Sequence, residues 1–225
     1  EDIHEPPTTL ISVENTHNYH GGVIIHPEIL KMTREFSDKN SLKLHLDGAR
    51  IFNAAVGLKV PVTDFTKYVD SVMFCLSKGL SCPVGSILAG SKELITRARR
   101  FRKMVGGGMR QAGIIASFGL VALESNWIDR LEEDHKNAKI LAEGIESYNL
   151  PVKVHKPETN IVIVELLKKV HIFKIVSQLG KVGLLSFNIS KEKIRFVTHY
   201  GINEDDIKFS IEKIGDTLSK FMNEK

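Results

Sequence analysis

Short apolar runs alternate with segments of helical periodicity over the first half of the chain. The runs that predict strands are residues 10–14, 42–46, 71–76 and 86–89, and helical segments at 27–38 and 48–58 separate them. Such alternation favours a parallel or mostly parallel sheet with helices on its faces. Ligands of these sheets bind outside the carboxyl ends of the strands. We therefore expect chemistry at Asp47, Ser77 and Lys78, each just past a predicted strand.

The second half of the chain begins with a mainly helical pattern. Helical spacing continues from Ser91 until Gly106-Gly107-Gly108 interrupts it, and residues 112–123 are apolar on nearly every side. A helix without a polar face has to be buried, so we expect this one in a domain core or against another subunit. A long amphipathic stripe over 128–145 predicts the helix that leaves the first domain.

After Pro151 the pattern is strand, helix, strand, helix, with the clearest strands at 160–166 and 194–198. Asn203, with Asp206 three residues later, predicts the N-cap of the last helix. We expect residues 1–126 to be part of a large α/β domain and residues 127–225 to be a linking helix with a smaller α+β domain.

Composition excludes several classes of protein. The chain has 225 residues, of which 42% are apolar and 26% charged, as is ordinary for a globular protein, and a formal net charge of +4 is too small to predict a nucleic-acid partner. No apolar run is long enough to span a membrane. The only cysteines, Cys75 and Cys82, form no zinc pattern and favour a reducing, cytoplasmic location.

Two residues at predicted strand ends could carry chemistry. Lys78 ends an apolar strand before a Gly-rich turn, where partial desolvation favours the neutral amine that condenses with a carbonyl; the alternative is a surface lysine opening a loop. Asp47 could hold a cationic ring nitrogen, and Arg50, one helical turn later, could clamp a carboxylate; the alternative is a helix cap with a structural ion pair. An Asp 31 residues before a Lys is the arrangement of pyridoxal phosphate enzymes.

The chain closely resembles the low-specificity threonine aldolases, which are fold-type-I pyridoxal phosphate enzymes. Five blocks carry the resemblance in the same order, namely residues 14–18 (ENTHN), 45–54 (HLDGARIFNA), 75–86 (CLSKGLSCPVGS), 102–111 (RKMVGGGMRQ) and 195–199 (RFVTH). The resemblance implies an α/β fold of that type and cleavage of threonine or allo-threonine to glycine and acetaldehyde.

It also implies a set of site residues. Lys78 would hold the cofactor aldehyde covalently, and Asp47 would pair with the protonated pyridine nitrogen. Arg50 and Arg195 would bind the substrate carboxylate, and Arg50 would also belong to the cofactor-binding residues. The glycine loop would bring Arg110, together with Lys103, toward the cofactor phosphate across a subunit boundary. His4 would orient the substrate hydroxyl or accept its proton. The resemblance further implies a homo-dimer or homo-tetramer.

The resemblance is incomplete at its start. The phosphate-binding Gly-Thr turn and the ring-stacking histidine of the family would precede Glu1, and the chain does not begin with Met. We therefore expect an N-terminal portion of the large domain to be missing. Two alternatives to the aldolase follow: a catalytically incompetent fragment that retains assembly surfaces, and a β-eliminating lyase or transaminase using the same cofactor.

Other motifs give weaker indications. The basic stretch of residues 92–103 could suggest nucleic acid, but its apolar stripe and lack of interleaved aromatic residues favour a solvated helix face. His17, His20 and His26 fit no common metal spacing, so no metal is expected.

Overall fold

The computed structural model describes residues 3–124 and 126–223, and the chain divides into two compact units. The first unit comprises Glu1–Thr16 and Ile25–Ile128, and the second comprises His17–Ile24 and Asp129–Lys225. A four-stranded sheet lies in each.

The sheet of the first unit has the strands β1 (Leu10–Glu14), β2 (Lys43–Asp47), β3 (Ser71–Cys75) and β4 (Ser86–Gly90), hydrogen-bonded in that order. The pairs β1–β2 and β2–β3 are parallel, whereas β4 runs antiparallel to β3. Within β2, Leu44 and Leu46 are completely buried and Lys43 is exposed, which is the alternation of a strand with one face in a core. The mostly parallel sheet predicted from the sequence is confirmed.

The helices of the first unit are α1 (Pro27–Lys39), α2 (Ile51–Leu58), α3 (Thr63–Thr66), α4 (Lys92–Met104) and α5 (Ala112–Glu124). α1 begins at Pro27, where the missing N–H of proline costs no hydrogen bond. α4 begins after Ser91, whose hydroxyl accepts a hydrogen bond from the N–H of Leu94 at 3.2 Å. The basic stretch lies on α4 and is exposed. None of the residues of this helix is buried, and the apolar stripe residues Leu94 and Phe101 are exposed as well.

The burial expected for α5 within a domain core is not found. Of its 13 residues only Gly119 and Ala122 are buried, while Ile114 is 71% and Val121 66% exposed. An apolar helix is covered only where another element packs on each of its sides, and the described residues cover one side of α5. The alternative expectation, a subunit interface, stays a prediction.

In the second unit the strands are β5 (Val152–His155), β6 (Ile161–Leu166), β7 (Phe187–Asn188) and β8 (Lys193–Val197), in the order β5-β6-β8-β7 with every neighbouring pair antiparallel. Its helices are α6 (Leu131–Glu146), α7 (Ile172–Lys181) and α8 (Glu204–Asn223). Their apolar faces form the core with β6 and β8, including the fully buried Ile145, Val162, Ile175 and Ile194. The expected small α+β arrangement is present in this unit.

The last helix has the predicted cap. The Asn203 side-chain oxygen accepts hydrogen bonds from the N–H groups of Asp205 at 2.8 Å and Asp206 at 3.0 Å. The Asp206 carboxylate in return accepts the N–H of Asn203 at 2.9 Å. This reciprocal pair satisfies backbone donors that a helix start leaves without partners. None of the helices in the described part of the chain is long and apolar enough to cross a membrane.

Candidate active site

The candidate site of the first unit lies at the carboxyl edge of β2 and β3. Asp47 is the last residue of β2 and pairs in register with Met73 of β3, and Lys78 follows three residues after β3 ends. Parallel strands are separated by about 4.8 Å, and their carboxyl ends lie at one edge of the sheet. The structure therefore brings the carboxylate of Asp47 and the amine-bearing turn of Lys78 to the same edge.

The chain after Asp47 is fastened to β3. The N–H of Gly48 donates to the Met73 carbonyl at 2.8 Å, and the N–H of Cys75 donates to the Ala49 carbonyl at 3.4 Å. A Cβ at position 48 would lie 2.9 Å from that same Met73 carbonyl, closer than carbon and oxygen approach, so this position requires glycine. The N–H of Ala49 donates to the Asp47 carboxylate at 3.1 Å and restrains its orientation.

This attachment also corrects a helix boundary. We expected a helix over 48–58, but α2 begins at Ile51. Residues 48–50 instead follow the edge of β3, because their backbone groups bond to it rather than to a helical turn.

Lys78 lies in a loop closed by its own backbone. The N–H of Leu76 donates to the Gly85 carbonyl at 3.0 Å, and the N–H of Ser81 donates to the Lys78 carbonyl at 2.8 Å. The Trp127 indole N–H donates to the carbonyl of Leu80 at 2.6 Å, which anchors the loop from the far end of the unit's sequence. These hydrogen bonds fix the backbone position from which the Lys78 side chain extends.

The partial desolvation expected for Lys78 is not found, since the residue is exposed. Leu76, Leu80 and Cys82 take the buried positions of the loop, and burial raises the pKa of the Cys82 thiol. Lys78 lies between them in sequence, at an exposed turn position.

The remaining predicted residues of the first unit lie in three places. Arg50 is half-buried directly before α2, and its carbonyl accepts the N–H groups that start that helix. Lys103 lies in the last turn of α4 and Arg110 just before α5, both exposed. A Cβ at Gly108 would lie 2.6 Å from Cδ of Lys103, so the glycine loop folds back over that lysine. His4 lies in an exposed turn before β1.

Arg195 belongs to the second unit. It lies on β8 between Ile163 of β6 and Phe187 of β7, and its Nη1 donates to the side-chain oxygen of Asn18 at 2.5 Å. Its Nε is buried and has no hydrogen-bond partner among the described residues. Sequence reasoning did not single out Asn18 for this contact, because 177 residues separate the two and no local pattern joins them.

The structure also bears on metal binding. His17 and His20 are in edge-to-face contact, with their Nδ1 atoms 3.0 Å apart. Across residues 3–124 and 126–223, no three or more His, Cys, Asp or Glu side chains are grouped so that they could hold a metal ion.

The fold defines the class of protein. Over 97% of its length the chain is similar to 59% of a PLP-dependent aminotransferase from Streptococcus suis, with a TM-score of 0.76 at 18% identity. Over 97% of its length it is also similar to 64% of a threonine aldolase from Leishmania major, with a TM-score of 0.77 at 17% identity. At these identities the likeness concerns the fold alone, which is that of the fold-type-I pyridoxal phosphate enzymes, as predicted.

The family follows from the sequence comparison. The chain belongs to the beta-eliminating lyase family, whose model matches residues 1–169. It is 44% identical over 211 residues to the probable low-specificity L-threonine aldolase 2 of Arabidopsis thaliana, an alignment that covers 92% of this chain and 59% of the relative. The predicted resemblance to low-specificity threonine aldolases is thereby confirmed. The chain spans little more than half the length of that relative.

The residues at the sheet edge fit the cofactor of this class. Pyridoxal phosphate requires a primary amine for its aldehyde and a carboxylate for its ring nitrogen. Asp47 ends β2 and Lys78 follows the adjacent parallel strand β3, so a carboxylate and an amine lie at the same edge of the sheet. The backbone bonds of Gly48 and Ala49 tie the residues after Asp47 to β3.

Proposed function

We propose that the whole protein cleaves threonine and allo-threonine to glycine and acetaldehyde in a retro-aldol reaction that depends on pyridoxal phosphate. The observation that carries the proposal is the placement of Asp47, at the end of β2, and Lys78, just after the adjacent parallel strand β3, at one edge of the sheet. The identity to a probable threonine aldolase supports the choice of reaction.

The two residues would have different tasks. When bound, the cofactor provides an electron sink for the charge left at Cα after the Cα–Cβ bond breaks. Asp47 keeps a negative charge beside the ring nitrogen and so stabilises that nitrogen's protonated form, an electrostatic task that needs no proton transfer from Asp47 itself. Lys78 supplies the amine that binds the cofactor aldehyde. Loss of the charge at Asp47 should therefore harm the reaction more than cofactor retention.

Four cationic residues would bind the anionic groups. In this proposal Arg50 and Arg195 bind the substrate carboxylate, since a guanidinium pairs with a carboxylate through two parallel hydrogen bonds. The buried Nε of Arg195, which has no partner among the described residues, is a donor that such a ligand would satisfy. Lys103 and Arg110 would bind the cofactor phosphate. His4 would orient the substrate hydroxyl or accept its proton.

The assembly and location belong to the same proposal. A homo-dimer or homo-tetramer would cover the apolar side chains that α5 exposes, such as Ile114 and Val121. A cytoplasmic location agrees with the two free thiols, Cys75 and Cys82.

The test is product analysis of the protein at its natural length, supplied with pyridoxal phosphate. Threonine and allo-threonine should each yield acetaldehyde and glycine in equal amounts, measured by coupled reduction of the aldehyde and by amino-acid analysis. Ammonia and a 2-oxo acid without acetaldehyde would refute the aldolase proposal. That result would favour β-elimination, the reaction for which the family is named.

The lysine assignment has its own test. Borohydride reduction should attach the cofactor permanently to the peptide that contains Lys78, as mass spectrometry would show, and Lys78→Ala should abolish the adduct. Lys92→Ala is the matched control, because Lys92 is also exposed but follows β4 at the opposite edge of the sheet, where Gly90 pairs with Ser71. An unchanged adduct in Lys78→Ala would refute the assignment.

The charge assignment is tested by Asp47→Asn, which keeps the shape of the side chain. We expect the visible absorbance of bound cofactor to be retained and kcat to fall at least about 100-fold, in line with the loss of a preorganised electrostatic contact. A variant with wild-type kcat would show that the charge at position 47 is not needed.

A further inference from the structure

Arg195 is held by a neutral partner. Its Nη1 donates to the side-chain oxygen of Asn18 at 2.5 Å, and its guanidinium carbon lies 5.9 Å from the centre of the Phe187 ring. Nε is buried without a hydrogen-bond partner among the described residues. Among the residues that the structure describes, the contacts of Arg195 orient its guanidinium through an amide and an aromatic ring and not through a carboxylate.

Asn18 is itself presented by a tight turn. It begins the 3-10 turn Asn18–His20, which ends at Gly21 with a φ of 82°. The N–H of Gly22 donates to the His17 carbonyl at 2.9 Å, and the N–H of His17 donates to the Val23 carbonyl at 3.0 Å, so the segment closes on itself.

The same segment, which is part of the second unit, is tied at its far end to the residues just before β6. The hydroxyl of Thr159 donates to the Gly22 carbonyl at 2.8 Å, and the N–H of Ile24 donates to the Glu158 carboxylate at 2.9 Å. Thr159 is completely buried, so the first of these bonds is protected from water. Asn18 is thus carried by a short segment with few ways to move relative to β8.

The chemistry of the partner matters as much as its position. A guanidinium has five N–H donors in one plane, and an amide oxygen that accepts one of them fixes the plane while leaving the positive charge intact. A carboxylate at the same place would neutralise Arg195 and compete with any carboxylate ligand. Asn18 engages Nη1, whereas Nε has no hydrogen-bond partner among the described residues.

We propose that Asn18 is a positioning residue for the binding of the substrate carboxylate by Arg195, orienting the guanidinium and preserving its charge. The inference rests on the proposed function, because that function assigns a carboxylate ligand to Arg195. It adds a residue from the segment between β1 and α1 to the determinants of substrate affinity.

Asn18→Asp separates this role from a purely structural one. The substitution keeps the shape and the hydrogen bond, so a structural role would leave the kinetics unchanged. The proposal expects the KM for threonine to rise about 30-fold or more, the size of one lost charged contact, while kcat stays within about 3-fold. Asn149→Asp, at an exposed position of the same unit, is the matched control and should leave both constants unchanged. A wild-type KM in Asn18→Asp overturns the proposal.

Asn18→Ala gives an independent measurement should the charged variant not fold. Here only the orientation is lost, and KM should rise about 3- to 10-fold with kcat unchanged, as expected for a neutral hydrogen bond. A fall in kcat at constant KM would contradict the proposal.

A third readout needs neither turnover nor cofactor. In ¹⁵N-labelled protein, the guanidinium signals of Arg195, assigned with Arg195→Lys, should show hindered rotation about the Nε–Cζ bond that Asn18→Ala relieves. If rotation is equally hindered in Asn18→Ala, the positioning role is refuted. If wild-type protein shows the hindrance but releases no acetaldehyde, the proposed function has failed and the orientation of Arg195 by Asn18 has not.

Discussion

Acid should destabilise the second unit through one buried histidine. His135 lies on α6, is 5% exposed, and burial together with the charge of Lys139 lowers its pKa from 6.5 to about 4. Between these values the unfolded chain binds a proton that the folded chain does not, so the free energy of unfolding falls as the pH falls. The difference between the two pKa values corresponds to about 3 kcal/mol of free energy of unfolding in total, of which about 2 kcal/mol is lost between pH 7 and pH 5.

The assay is urea unfolding followed by far-ultraviolet circular dichroism at pH 7, 6 and 5, with His135→Gln as the perturbation. Glutamine is uncharged throughout, so the variant should lose about 2 kcal/mol less than the wild-type protein between pH 7 and pH 5. The neighbouring Asp134, whose pKa is raised by burial, contributes with the opposite sign in both proteins, and the comparison removes its effect. His171→Gln, at an exposed position of the same unit, is the matched control. Parallel stability curves for wild type and His135→Gln would refute the reasoning.

Two further predictions concern stability and are checked by denaturation. Arg130→Met should cost about 3–5 kcal/mol, because Asp134, with a side chain 2% exposed, would lose the partner 2.8 Å away. Lys136→Met breaks an exposed ion pair and should cost far less; equal losses would contradict the burial argument. Gly22→Ala should lower Tm, because φ is +72° and the added carbon would lie 2.5 Å from a threonine hydroxyl. Gly180→Ala, at a helical position with nothing within 4 Å of the added carbon, should raise Tm slightly. A higher Tm for Gly22→Ala than for Gly180→Ala would refute this argument.

Elements set by local patterns are the ones that sequence reasoning predicted well. The strand expected at residues 10–14 is β1 with the same bounds, and the strand expected at 42–46 is β2 shifted by one residue. Pro27 fixed the start of α1 and Asn203 the start of α8, because each acts on backbone groups within one helical turn. Periodicity and helix caps can be predicted from neighbouring residues in the sequence alone.

Features that depend on distant neighbours were not predictable. Apolar side chains all around α5 predicted burial, yet burial also requires elements to pack on every side of the helix. α2 begins at Ile51 and not at the predicted residue 48, because the N–H of Gly48 bonds to a carbonyl of β3. Helical periodicity in the sequence does not predict such a contact. Asn18 meets Arg195 only because residues 17–24 join the second unit.

The candidate site combines both kinds of feature. Asp47 and Lys78 could be placed at one edge from the sequence, because parallel neighbouring strands bring their carboxyl ends together whatever the loops do. The direction of the Asp47 side chain depends on the buried Leu44 and Leu46, since a slip of one residue in β2 would turn its apolar side chains out of the core and Asp47 into it. The orientation of Arg195 has no such local determinant and relies on the amide of Asn18. Core mutations in β2 should therefore affect cofactor binding, whereas changes in the segment 17–24 should affect affinity for the amino acid.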